Sequence, residues 1–238
     1  MTSTVIAQEL WHLKRPTEIG GGFGSLPSLE HAEQPLTNEL AGELAARGLQ
    51  LRRRDPQSDR ALQRAGVLIG RVPSLEGIIL ECVRELLVLN APDEWHDVSH
   101  SEPRWPYRIF VSLPPPSPVG DIRLAEAIVH EAMHLNLSFV ERYTPLITHD
   151  KQLYSPWRFE DRPAGGVLHG IYVFATLMRF FEILGQQEGL SAEQRTHLTG
   201  RHAGILDECR QVSRSDLWRS LTEDGQTIAR RIFELVDH

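Results

Sequence analysis

The chain predicts a predominantly helical α+β fold, in which a helical core carries an HExxH metal helix beside a small antiparallel β element. Three observations carry this. Apolar residues recur at helical spacing over most of the chain beyond residue 36, one short segment at 107–113 has the composition of a strand, and His130-Glu131-Ala132-Met133-His134 lies inside a helical run.

A length of 238 residues with 41% apolar content suits one large soluble domain. We divide it into an irregular N-terminal arm, 1–35, punctuated by Gly20-Gly21-Gly22 and by Pro16, Pro27 and Pro35, and a single HExxH metalloenzyme domain, 36–238. The net charge of −7 argues against broad binding to nucleic acid or to an anionic membrane. Cys82 and Cys209 have no metal-binding spacing and read as reduced thiols. Met1 to Trp11 lacks a basic segment followed by a long apolar run, and no unbroken apolar stretch of about 18 residues occurs, so a cytoplasmic protein is expected. Nothing in the chain sets an oligomeric state.

The first expected helix spans Thr37 to about Arg54, with Leu40, Leu44 and Leu51 on one side and Pro56 as its stop. A second starts at Pro73 and carries Leu75, Ile78, Ile79, Cys82, Leu86 and Leu89 as its apolar stripe, ending at Asn90-Ala91-Pro92. Residues 93–106 are a polar, Trp-rich connection. The strand Tyr107–Leu113 follows, bounded by Pro106 and Pro114-Pro115-Pro116, and its partner comes from 96–100 or from a later loop. The HExxH helix runs from Asp121, read as its N-cap, to about Tyr143 before Pro145. Residues 145–166 read as a loop, Val167 to about Leu184 as the next helix, and two more helices are placed within 191–213 and over Thr222–Val236.

The i, i+4 spacing brings His130 and His134 onto one helix face, where they present two neutral nitrogen donors about 6 Å apart to a divalent cation, with Glu131 beside them. A third donor is sought downstream. His169, at a helix start 35 residues after His134, is preferred over His149 because a helix holds a ligand more rigidly than a turn-rich loop. Arg158 and Arg162 are candidates for an anionic ligand, or else partners of Glu160 and Asp161, while Tyr154 and Ser155 are candidate second donors. Trp157 reads as packing or a lid, Tyr172 as core, and His96 and His100 as surface or substrate-access residues.

An HExxH helix most often serves a zinc peptidase, whose two histidines and downstream carboxylate hold Zn²⁺ while the glutamate deprotonates water. Here the downstream Glu182, 13 residues after His169, faces about 220° away from it around the helix. The longer HExxHxxGxxH pattern is also absent, since Leu137 and Val140 stand at its glycine and third histidine.

Ala127-Ile128-Val129-His130-Glu131-Ala132-Met133-His134, Tyr154-Ser155-Pro156-Trp157-Arg158, Arg162-Pro163, Gly166-Val167-Leu168-His169-Gly170 and Tyr172-Val173-Phe174 together resemble the HExxH-motif peptide-modification family. The similarity covers roughly 73–184. It implies an Fe(II)- and 2-oxoglutarate-dependent oxygenase that uses O₂ to hydroxylate the β-carbon of an amino-acid residue in a ribosomally made peptide, with His130, His134 and His169 as iron ligands. Arg158 or Arg162 would then meet the 2-oxoglutarate carboxylate, and Glu131 would orient a ligand, hold water or touch substrate. A free or carrier-bound amino acid is the alternative substrate, and a zinc metallopeptidase or a catalytically silent binding module the alternative function.

Overall fold

The computed structural model describes residues 38–91, 93 and 96–237; the arm expected over 1–35 lies outside them. The described residues are predominantly helical, 61% of them lying in eight helices, with small antiparallel pairings, as the apolar periodicity led us to expect. The described residues fall into two compact units, 38–135 and 136–237, whose boundary lies inside one continuous helix.

The first unit opens with α1, Asn38–Ala46. It stops well short of Arg54 because Gly48 takes a left-handed φ of 71°. The Leu49 and Gly48 amides then turn back onto the Leu44 and Ala45 carbonyls, 2.8 and 2.9 Å away, closing the helix end. Leu51, expected on that helix, instead bridges Leu89. Pro56 starts a helix rather than stopping one: α2, Pro56–Gly70, has Asp55 as its N-cap, accepting from the Ser58 amide at 2.7 Å. Proline suits this first-turn position, where its missing N–H has no intrahelical partner to lose.

The hydrogen bond from the Ser58 amide, followed by those from Arg52 and the Ser58 hydroxyl, pulls the Asp55 carboxyl down to about 2 from its ordinary 3.8. A depressed pKa in the folded state means that the cap's contribution is complete above the ordinary value and fades as pH falls toward about 2. Asp55→Asn, which keeps the acceptor but does not titrate, should therefore flatten the acid limb of a stability-against-pH curve.

Helix α3, Pro73–Cys82, is also shorter than expected, because the chain becomes extended at Val83 and forms strand β1, Glu85–Leu89. A short Leu/Val run satisfies either pattern, and here strand pairing decides it. Strands β2, Ser99–Ser101, and β3, Arg108–Ser112, complete a sheet of order β1-β3-β2. β1 runs parallel to β3, with Leu87 opposite Phe110, and β2 runs antiparallel, with His100 opposite Phe110. The 96–100 alternative thus supplied the antiparallel partner, and the parallel one came from a segment read as helix.

Phe110 is fully buried against Leu40, Leu44 and Leu89, with Trp105 and Val98 around them. Period-two alternation puts Ile109 and Val111, with Ser99 and Ser101 opposite them, on the other face of the sheet. There lies α4, Gly120–Glu141, the HExxH helix. Asp121, expected as its N-cap, lies inside the first turn and accepts from Arg64 Nε at 2.7 Å.

The second unit corrects the expected 145–166 loop. Residues Gln152–Ser155 and Glu160–Pro163 form an antiparallel hairpin, β4 and β5, turned through Phe159 at a φ of 56°. Helices α5, Ala164–Gly185, α6, Ala192–Gln211, α7, Arg214–Ser220, and α8, Glu223–Asp237, follow. α5 is central, packing on α6, α8 and the hairpin. By length and composition α5 would suffice to cross a bilayer, but 61% of its most apolar window is buried inside the protein. It is not an unbroken apolar run, since His169, Gly170 and Thr176 interrupt the pattern.

Candidate metal centre

Most of α4 is buried, and Arg123, Ala127, His130 and His134 form a half-exposed stripe at spacings of four, three and four residues. The two histidine rings stand edge to face with centroids 4.8 Å apart. Two adjacent imidazoles on a rigid helix suit two positions around a first-row divalent cation.

Glu131 points away from solvent, with 5% exposure. Burying a carboxylate is costly unless its oxygens are bonded. Both are: Ser99 Oγ donates to Oε1 at 2.7 Å and Ser101 Oγ to Oε2 at 2.6 Å. Strand β2 therefore grips the motif glutamate by both oxygens with the short geometry of charge-assisted bonds. Arg123 Nε meets Asp97 at 2.8 Å and ties the lead-in of β2 to the same helix. Below the motif, the buried Cys82 thiol donates to the Ala132 carbonyl at 3.7 Å and, more closely, to Ile78 O at 2.7 Å. Ser99 and Ser101 were not singled out in the sequence. Their signal was a Ser-x-Ser alternation of period two, legible only once 99–101 is known to be a strand facing the HExxH helix.

Within 136–237, His169 Nε2 lies 2.9 Å from Glu141 Oε2, with both side chains partly buried. Three residues along α5, the Tyr172 hydroxyl donates to Asn136 Oδ1 at 2.5 Å, so Tyr172 is a core residue with its polar tip satisfied. Trp157 is packing: it stacks on Phe174 at 4.9 Å, over Gly170, where a Cβ would come within 2.6 Å of the indole. His149 is exposed and lies outside the helices and strands.

The anion candidates all lie on the β4–β5 hairpin but do not share a face. Arg162 stands opposite the buried Leu153, on the side of Ser155, whereas Tyr154 points the other way and is 46% exposed. Arg162 meets Glu160 at 3.1 Å, so the expected acidic competitor does engage it, and Arg158 is exposed in the turn. His96 pairs with Asp93 at the surface. His100 is half-buried against Phe110, and burial, reinforced by the nearby Arg47 cation, holds its imidazole below the usual histidine range.

Of the three expected iron ligands, His130 and His134 form a pair and His169 is engaged by Glu141. Among the described residues, no three His, Cys, Asp or Glu side chains form a group that could hold a metal ion. The residues present thus fit two protein donors of the expected centre. The chain matches no protein-family model and no curated protein.

Proposed function

We propose that this protein is an HExxH metalloenzyme of the oxygenase kind: an Fe(II)- and 2-oxoglutarate-dependent hydroxylase acting at the β-carbon of an amino-acid residue, in a peptide rather than a free amino acid. The observation that carries the reading is the grip of Ser99 and Ser101 on Glu131 beside the His130–His134 pair. A peptidase asks its motif glutamate to take a proton from water and pass it on. A carboxylate with a hydroxyl on each oxygen is better suited to stay still, as a fixed acceptor that orients a neighbour.

His130 and His134 would hold the metal through neutral nitrogens, and the family resemblance adds His169 as the third donor. When bound, Fe(II) and 2-oxoglutarate supply the oxidising power to put one atom of O₂ into a C–H bond while 2-oxoglutarate becomes succinate and CO₂. Glu141, at 2.9 Å, would fix the ring orientation of His169 in the way carboxylates support metal-binding histidines. Arg158 is the preferred partner for the 2-oxoglutarate carboxylate, since Arg162 already has Glu160. A cytoplasmic setting, with reduced Cys82 and Cys209, agrees with an Fe(II) enzyme.

Protein reconstituted with Fe(II) and given 2-oxoglutarate, oxygen and candidate peptides should add the mass of one oxygen atom to an intact chain and release one succinate per event. Shorter peptides without succinate would establish the zinc peptidase instead, and neither product would leave a silent binding module. His130→Ala and His134→Ala should each lose bound metal, measured by elemental analysis, while keeping wild-type helicity. Full metal occupancy in either variant would remove the pair from the centre.

A further inference from the structure

A cleft of about 620 Å³ lies in the first unit, away from the HExxH stripe. Its floor is the carboxyl ends of the parallel strands β1 and β3, reached through Leu89-Asn90-Ala91 and Leu113. One wall is the α2 face that carries Gln57, Ala61 and Arg64, and the other is the Pro114–Pro116 turn with the start of α4. Crevices at the carboxyl ends of parallel strands are a recurrent place for small ligands, and this volume lies within their usual range.

The lining is balanced in charge. Arg52, Arg64, Asp93 and Asp121 line the cleft, with aliphatic surface from Leu89, Leu113 and Leu124 beside the polar Gln57 and Asn90. Arg64 already binds a carboxylate within the cleft, Asp121, through Nε at 2.7 Å, and Arg52 binds Asp55 through Nη2 at 3.0 Å. Each guanidinium has five N–H donors, so both can accept a second carboxylate without surrendering the first.

We propose that this cleft binds a zwitterion with an aliphatic body, a free amino acid or the charged ends of a short peptide. The ligand carboxylate lies against Arg52 and Arg64 and its ammonium against Asp93 and Asp121. Asn90 and Gln57 offer amide groups to a peptide backbone, and the leucines take the side chain.

The test is saturation-transfer NMR on the full-length protein with leucine, leucyl-leucine, and leucyl-leucine acetylated and amidated at its ends. Transfer to either of the first two supports the site, and which of them is stronger identifies the source of the zwitterion. The blocked peptide, Arg64→Gln and Asp93→Asn should each weaken binding by about tenfold or more, the scale of one lost charge-assisted contact. Arg52→Gln provides an independent second variant, and circular dichroism checks that each variant is folded. The His130→Ala/His134→Ala double variant should bind unchanged, which separates this cleft from the proposed metal centre. No transfer to leucine or leucyl-leucine, equal binding of the blocked peptide, indifference to all three cleft substitutions, or loss of binding in the histidine variant would each overturn the proposal.

Discussion

Ser99→Ala combined with Ser101→Ala should destabilise the protein by about 3–5 kcal/mol, since each hydrogen bond to a charged group contributes about 1.5–3 kcal/mol and a buried carboxylate left without donors pays its desolvation in full. Two hydroxyls hold Glu131, at 2.7 and 2.6 Å, and the carboxylate is 5% exposed. Urea denaturation checks the size of the loss. Adding Glu131→Met to the double variant should restore most of the stability, because replacing all partners by apolar groups removes the unmet charge. A double variant as stable as the parent would mean that water reaches Glu131 and that the serines are dispensable.

Gly225→Ala should cost about 3 kcal/mol, at the upper end for overpacking, because a Cβ there overlaps a backbone atom that cannot swing aside. The overlapped atom is the Leu146 carbonyl oxygen, which also accepts from the Thr222 amide at 3.0 Å. Thr222 Oγ1 donates in turn to Pro145 O at 2.8 Å and accepts from the Gly225 amide at 3.1 Å. The start of α8 is thereby seated on the 145–148 segment, and the glycine is what lets it approach. Gly204→Ala on α6 is the matched control: nothing lies within 4 Å of its Cβ position, so alanine should gain about 0.5–1 kcal/mol from helix propensity. Thermal melts in which both substitutions acted alike would show that the close approach at Gly225 is absent.

Long, strongly periodic segments were legible in the sequence. The HExxH helix, the helix of His169 and the last two long helices came within a few residues of their observed ends, because their stripes run for several turns and their flanks carry breakers. Short segments were not. Pro56 carries the same local meaning as a stop and as a first-turn residue, and only Asp55 before it and Ser58 after it tell the two apart. Leu86 and Leu89 fit a helical stripe as well as a strand, and pairing with Phe110 and its neighbours settled the matter through contacts more than 20 residues away.

The strand expected over 107–113 is not a sheet edge. β3 is the central strand, paired on both sides, so it has no free edge to offer. At the candidate site, the i, i+4 histidines needed only helical geometry and were found. The serines around Glu131 and the Glu141 partner of His169 needed tertiary placement, which spacing along the chain does not encode.

The three-residue strand β2 has a consequence for how this chain tolerates insertions and deletions. Ser99 and Ser101 face the HExxH helix because His100, between them, lies opposite Phe110 on the far side of the sheet. A shift of the pairing by one residue exchanges the faces and offers Glu131 the His100 imidazole with either Val98 or Glu102 in place of two hydroxyls. The pairing is set across 102–107, where Tyr107 adopts a φ of 64° and its carbonyl receives both the Arg84 and Glu85 amides. Length changes of one residue in that connection should therefore be far more damaging than changes of two, giving a parity rule for a loop outside the HExxH helix.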